Sequence, residues 1–264
     1  MKELEIACDA ARAAGELLCN YFRTSVHRIA GKPSYNLVTQ ADIEAERLIV
    51  EMLRQATPGY RILAEESHGQ TDLSGDLWIV DPLDGTNNFV HGIPQFSVSI
   101  AYYRDAVPQC GVVYHPVPGD LYTAQRGAGS YRNGERVYVQ AEQRLDEILV
   151  GVGFYYDRGA MMEATLRAIA DFFRQHIHGI RRFGSAALDL CYVGCGHFGA
   201  FFEYELSPWD VAAGRLFVEE AGGKVTTCSG HPLPLVPCSV LATNGFVHQA
   251  ALEIVQRHLP PERT

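Results

Sequence analysis

The chain has 264 residues and a formal net charge of −9, with 47% hydrophobic and 20% charged residues. That composition suits a globular protein with a substantial core, built as one large domain or two small ones. The acidic balance argues against nucleic acid and anionic membranes as main partners, and no apolar run reaches the roughly eighteen residues of a membrane span.

Leu4 to Phe22 carries apolar residues at helical spacing, and Asp42 to Gln55 does the same until Thr57-Pro58-Gly59 ends it. Tyr60 to Ala64 reads as a short strand stopping at Glu65-Glu66, and Leu77 to Val80 as another stopping at Asp81. Ser97 to Tyr103, Cys110 to Tyr114, Leu121 to Gln125 and Arg136 to Gln140 read as an antiparallel meander, with Asn133-Gly134 its strongest hairpin signal. A strand (Ile148 to Phe154), a helix (Met161 to Ile177), a small-residue helix (Ser185 to Cys195) and a strand (Ala200 to Leu206) follow. A helix from Pro208 to Ala221, strands at Lys224 to Thr227 and Ser239 to Ala242, and a last helix to about His258 complete the chain. This alternation predicts an α/β layered unit, with halves 1–145 and 146–264 packed around a cleft. Seven cysteines form no Cys-x-x-Cys pair, and Cys191 and Cys195 read as small buried residues. The acidic, amphipathic start lacks a signal-peptide layout, so a reducing cytoplasm is expected.

The most informative stretch is Trp78-Ile-Val-Asp-Pro-Leu-Asp-Gly-Thr-Asn-Asn-Phe89. Pro82 breaks an apolar run, and the chain is expected to turn there. Asp81, Asp84 and a backbone carbonyl on one rigid turn suit a hard, oxygen-preferring cation such as Mg²⁺. Gly85 and Thr86 offer N–H groups and a hydroxyl to an anion beside it. Metal next to anion suggests phosphate chemistry.

Other acids join this set. If the two short strands are neighbours, Glu65-Glu66 meets Asp81 and Asp84 at one sheet edge. Asp210 begins a helix after Ser207-Pro208-Trp209, where a bland reading is a favourable dipole partner. Asp42 lies three residues after Thr39, which suits a capping box. Clustered carboxylates repel by about 4 kcal/mol per close pair at an effective dielectric of about 20. A divalent cation removes that conflict.

Ala64-Glu65-Glu66-Ser67, the 78–89 stretch and Trp209-Asp210 resemble the signature segments of the inositol monophosphatase family. Leu37 to Asp42, Gly111 to Pro116, Gly184 to Ala187 and Glu219 to Gly223 extend the resemblance over nearly the whole chain. It implies a Mg²⁺-dependent, lithium-sensitive phosphatase of layered αβαβα architecture (α/β, α+β), usually a homodimer, with two to three Mg²⁺ ions per site. By position, Glu65, Asp81 and the Leu83 carbonyl correspond to ligands of a first metal, and Asp81, Asp84 and Asp210 to ligands of a second. Gly85 and Thr86 correspond to phosphate-binding residues, and Thr86 with Asp42 to the pair that polarises the attacking water. Glu203 and Gly184, Ser185 and Ala186 correspond to the substrate-hydroxyl side, and a carboxylate suits a polyol because it accepts from neighbouring hydroxyls. The implied reaction is hydrolysis of myo-inositol monophosphate. Sister groups share the metal site: fructose-1,6-bisphosphatases, 3′-phosphoadenosine-5′-phosphate phosphatases and histidinol phosphatases. Asn87-Asn88-Phe89 resembles the inositol phosphatase version, whereas Tyr155 and Ser207 depart from relatives that carry proline and a basic residue there. Some bacterial relatives look like RNA or transcription-complex partners, but Arg181-Arg182 is the only conspicuous basic pair near the second half. His91 and His115 are expected to be structural.

Overall fold

The computed structural model describes residues 1–24, 29–30, 38–67 and 72–260. Leu37, the first residue of one segment of the resemblance, lies outside them. Helices α1 (Lys2–Thr24) and α2 (Gln40–Ala56) flank a two-residue strand pair, β1 (Ile29–Ala30) and β2 (Val38–Thr39). Seven strands then form one sheet in sequence order. They are β3 (Arg61–Ala64), β4 (Asp76–Asp84), β5 (Ser97–Arg104), β6 (Val107–His115), β7 (Asp120–Gln125), β8 (Gly129–Arg132) and β9 (Glu135–Val137). The short helix α3 (Thr86–Val90) joins β4 to β5. A five-stranded sheet has the order β11-β10-β12-β14-β13. Its strands are β10 (Leu149–Val152), β11 (Gly179–Arg181), β12 (Ala200–Leu206), β13 (Lys224–Thr226) and β14 (Cys238–Thr243). The helices α4 (Ala160–Arg174), α5 (Ala186–Gly194), α6 (Pro208–Glu220) and α7 (His248–Arg257) complete the chain.

Alternation along the strands sorts these elements into five layers, because successive side chains of a strand point to opposite faces. On β3 and β4, Ile62, Ala64, Trp78 and Val80 face a core shared with α1 and α2. Leu63, Leu77 and Ile79 face the other way, onto α5 and α6. The outer face of α5 and α6 packs through Leu190, Val193 and Val218 on Phe201, Val240 and Ala242 of the second sheet. Phe202 and Leu241 point to the far side, against Ala164, Ala168, Ala251 and Ile254 of α4 and α7. The result is the expected αβαβα sandwich, with α5 and α6 as the shared middle layer. Both sheets of that sandwich are covered on both faces, which explains why β4 and β12 read as nearly continuous apolar runs.

One expectation about β4 is corrected. The strand does not end at Asp81 but continues through Pro82 to Asp84, with a bulge between the Asp81↔Ser99 and Asp84↔Ser97 pairs. Pairing with β3 stops at Ala64↔Val80, so beyond Val80 one side of β4 has no strand beside it. Proline is tolerated there, since no ladder partner requires its missing N–H. The meander also differs in one detail. Asn133-Gly134 turns between β8 and β9, not directly between the Leu121 to Gln125 strand and the one expected from Arg136, because β8, an unpredicted strand, comes between. Asn133 and Gly134 both have positive φ (52° and 82°), as a tight hairpin of this kind requires.

Candidate metal centre and substrate cleft

Parallel pairing of β3 with β4 in the Ala64↔Val80 register puts Glu65 and Asp81 side by side, one residue past the last pair. The bulge then re-aims the end of β4, so Asp84 shares a cleft with Asp81 rather than facing away from it. Ser207, Pro208 and Asp210 start α6, where the Ser207 N–H donates to Asp210 Oδ2 at 2.7 Å. This cap fixes the carboxylate at a helix start, so the bland reading of Asp210 and the functional one hold together. Asp81, Asp84 and Asp210 each offer an oxygen within 4.8 Å of the others.

Each acid is held from behind. The Leu83 N–H donates to Asp81 Oδ1 at 3.0 Å inside the bulge. Asp84 accepts from Ser185 Oγ at 2.5 Å, Ala187 N at 2.8 Å and Ala186 N at 3.2 Å. Those donors open α5, so the carboxylate at the end of β4 occupies the positive end of a middle-layer helix. Asp42 is buried at the start of α2. It closes a capping box with Thr39, whose N–H donates to its Oδ2 at 2.8 Å, while its Oδ1 accepts from Thr86 Oγ at 3.0 Å. Thr86 Oγ also lies 3.1 Å from the Leu83 carbonyl. The capping reading and the positioning reading of Asp42 are thus one arrangement. A further buried acid, Glu46 of α2, accepts from the Glu66 N–H at 2.7 Å and from the Ser67 hydroxyl, which shapes the turn after Glu65.

Gly85 stands between β4 and α3 with φ of 97°, a conformation that side chains disfavour. A Cβ there would meet the Gln95 carbonyl oxygen at 2.9 Å and that of Gly184 at 3.3 Å. Only glycine lets the chain pass this point and present the first N–H groups of α3 to the cleft.

The cleft encloses about 250 Å³ and is lined by Glu65, Asp81, Leu83, Asp84, Gly85, Thr86 and Asp210 on one side. Gly153, Tyr155, Tyr156, Arg182, Asp189 and Glu203 line the other, with Gly184, Ser185 and Ala186 between. Glu203 and Leu206 of β12 reach the cleft, whereas Tyr204 packs into the outer core and donates to the Val255 carbonyl at 2.8 Å. Gly153 makes room for Glu203: a Cβ there would lie 1.7 Å from Glu203 Oε2. Ser185 is fully buried with its hydroxyl committed to Asp84, so it holds an acid in place. Asp42 sits behind Thr86 and does not line the cleft.

Electrostatics explain what the set lacks. Burial, reinforced by the charges of Glu65, Asp84 and Asp210, pushes the Asp81 carboxyl well above the usual range. Burial likewise raises Asp210, with Asp84 adding repulsion. Asp84 is pushed up by burial to about 6, its rise limited by the Ser185, Ala187 and Ala186 donors. The donor set is oxygen only, convergent and uncompensated, which fits a hard divalent cation and not a soft or nitrogen-preferring one.

Among the lining residues that the sequence reading did not assign to the site are Asp189, Tyr156 and Arg182. Asp189 is a lone acid in the apolar run Ala186-Ala-Leu-Asp-Leu-Cys191, a signal that was available. It is 1% exposed and its Oδ1 has no hydrogen-bond partner. Arg182 stood out only as half of a basic pair, and Tyr156 carried no pattern that would have marked it as a cleft residue. His115 is structural as expected, its Nε2 lying 2.9 Å from the Pro94 carbonyl oxygen. Among the described residues, no helix is long and apolar enough to cross a membrane.

Comparison with known proteins places this geometry. A model described as the inositol monophosphatase family matches residues 2–259. The Pseudomonas aeruginosa protein named Nus factor SuhB is 41% identical over 266 aligned positions, covering 98% of this chain and 97% of that protein. The inositol-1-monophosphatase of Rhizobium meliloti is 39% identical over 262 positions, covering 97% of both. The crystal structure of the extragenic suppressor protein suhB from Bartonella henselae superposes with a TM-score of 0.91 at 36% identity, covering 97% of this chain and 99% of that one.

Proposed function

The chain belongs to the inositol monophosphatase family, and from that premise we propose that it is a Mg²⁺-dependent phosphomonoesterase acting on myo-inositol monophosphate or a close polyol phosphate. The observation that carries the reading is the convergence of Asp81, Asp84 and Asp210 within 4.8 Å at the mouth of a cleft whose far wall holds Glu203.

In this reading Glu65, Asp81 and the Leu83 carbonyl would hold one Mg²⁺, and Asp81, Asp84 and Asp210 would hold a second. Glu65 would also contact a weaker third ion. Bound there, the ions supply charge neutralisation and a water of lowered pKa for in-line displacement. The chain does the rest. The Gly85 and Thr86 N–H groups at the start of α3 orient the phosphate. Asp42 draws on the Thr86 hydroxyl, so that its oxygen is turned to accept the proton of the attacking water. Glu203 accepts from substrate hydroxyls opposite, and Gly184 and Ala186 shape the space beside the polyol ring. No serine or cysteine nucleophile is needed, because phosphoryl transfer depends mainly on positioning and charge.

The test is phosphate release from inositol 1-phosphate, fructose 1,6-bisphosphate, 3′-phosphoadenosine 5′-phosphate and histidinol phosphate, with and without Mg²⁺ and with added Li⁺. Mg²⁺-dependent turnover fastest on the inositol ester is expected, and equal rates in chelator would refute the reading. A homodimer is expected in solution, measurable by light scattering. A second reading follows the name of the Pseudomonas relative, a Nus factor. A binding role in a transcription complex would survive Asp84→Asn, whereas catalysis would not.

A further inference from the structure

One acid of the far wall, Asp189, has no part in the proposed reaction. It is the one charged side chain of α5, a helix packed between the two large sheets. Leu188 and Cys191 face one core, and Leu190 and Val193 face the other. Asp189 turns to neither and lines the cleft. It is buried, its Oδ1 has no hydrogen-bond partner, and it makes no ion pair with any described residue.

The fold gains little from such a residue. An acid in the first turn suits the helix dipole, but the free N–H groups there are already taken. Ala186 and Ala187 donate to Asp84, and Leu188 donates to Ser185 Oγ. An unpartnered buried carboxyl is itself destabilising. Burial pushes Asp189 well above the usual carboxylate range, with Asp84 and Glu203 adding repulsion and Arg182 opposing it. A carboxyl that keeps its proton both donates and accepts, as a polyol hydroxyl does. Its position suits that partner. Asp189 follows Ser185 by four residues, so the two share a helix face about 6 Å apart along the axis. Ser185 holds Asp84, which puts Asp189 one turn back from the proposed metal centre, with Glu203 close enough for its charge to act on it. That spacing is about the width of a six-membered ring.

We propose that Asp189 is a specificity-determining residue that reads one ring hydroxyl of the polyol, distinct from the hydroxyl read by Glu203. This deepens the phosphatase reading and rests on it. With the phosphate at Gly85 and Thr86, one hydroxyl satisfies the Asp189 carboxyl and another meets Glu203. A ligand lacking either hydroxyl leaves a buried polar group unpaired, the defect by which sites reject analogues most strongly.

The test uses inositol 1-phosphate and a set of monodeoxy inositol 1-phosphates, each lacking one ring hydroxyl, with Mg²⁺-loaded protein. Wild type is expected to show kcat/KM about tenfold lower on the analogue missing the Asp189 hydroxyl and on the one missing the Glu203 hydroxyl, through KM. Asp189→Ala should lose about tenfold on the parent ester and nothing further on the first of these analogues. Glu203→Gln should lose nothing further on the second. Asp189→Asn, which keeps a donor and an acceptor, should retain most of the discrimination. Asp189→Leu, which keeps the volume, gives the same comparison should Asp189→Ala fail to fold. Equal losses on every ester in the Asp189 variants overturn the proposal, because Asp189 would then shape the cleft without reading a hydroxyl. A single analogue on which neither Asp189→Ala nor Glu203→Gln costs anything also overturns it, since one hydroxyl would then serve both acids. Should no ester release phosphate with Mg²⁺ while calorimetric binding still shows the expected pattern, the phosphatase reading falls and the hydroxyl contact stands. Phosphate release without the pattern removes the contact and leaves the phosphatase reading.

Discussion

The two walls of the cleft are built on different principles. On the β4 wall nearly every functional oxygen is tied from behind: Asp81 by the Leu83 N–H, Asp84 by three donors of α5, and Thr86 by Asp42. On the β12 wall Asp189 has an oxygen with no partner and Arg182 has no ion pair. A wall of pre-tied acids suits chemistry that must happen the same way each time, since preorganised groups need not rearrange during reaction. A wall of uncommitted polar groups suits recognition, because only a ligand with the right donors and charges satisfies it. In the proposed function, reaction and substrate choice fall to separate parts of one cavity, and mutations should separate them.

The largest effect is expected on the tied wall. Asp84→Asn removes a charge from the acid trio and turns an amide N–H₂ toward groups that are all donors. Turnover should fall by on the order of a thousandfold at saturating Mg²⁺, with melting temperature falling as well. Near wild-type kcat would remove Asp84 from the metal centre. Next comes Thr86→Ala or Asp42→Asn, each of which loosens a supporting hydrogen bond. A drop of about 10–100-fold in kcat is expected, measured by initial rates at saturating substrate. Unchanged rates would mean that the Asp42 contact serves only to cap α2.

On the other wall the effect should be smaller and of another kind. Glu203→Gln is expected to raise KM for inositol 1-phosphate about tenfold while leaving the Mg²⁺ concentration for half-maximal rate unchanged. Gly153→Ala, which displaces the same carboxylate without changing its charge, should reproduce that pattern. A shifted Mg²⁺ dependence in either variant would place Glu203 among the metal ligands and dissolve the distinction between the walls.

The smallest expected effect is on stability. Burial raises Glu203 from its usual 4.5 to about 8, and it raises Asp81, Asp210 and Asp189 well above their usual range. A carboxyl that is raised on folding binds its proton more tightly in the folded state, so stability falls as pH rises between its unfolded and folded values. His248, lowered by burial from 6.5 to about 4, has the opposite slope, but only below 6.5. Between pH 6.5 and 8 the acids therefore dominate. The metal-free protein should lose melting temperature across that window, and Mg²⁺ should restore more at pH 8 than at pH 6.5. A rise of melting temperature with pH in chelator would contradict the assignment of these acids as uncompensated.

Much of this was legible in the sequence, and for stated reasons. Strand β12 is a run of apolar and aromatic residues bounded by a glycine and a serine-proline, and its limits were read correctly. The neighbouring of β3 and β4 was a guess from sequential order that the parallel register bears out. Pro82 misled, because a rule about central strands was applied to a stretch whose neighbour on one side had already ended. The strands β8 and β11 are three or four residues long and each begins with glycine, too short for a period of two to register. Arg182 was noticed as half of a basic pair but not as a cleft residue. Its placement depends on how the segment after β11 lies against Gly85 and Asn88, a contact between positions about a hundred residues apart.

The bond between Asp84 and the start of α5 spans 101 to 103 residues of chain. During synthesis, a ribosome must therefore add more than a hundred residues after Asp84 before its donors exist, and more again before Asp210 emerges. A nascent chain carries Glu65, Asp81 and Asp84 for much of its elongation without the groups that orient them. The acid corner is completed late in the chain, so a product of translation that ends before Asp210 lacks one of the three converging acids.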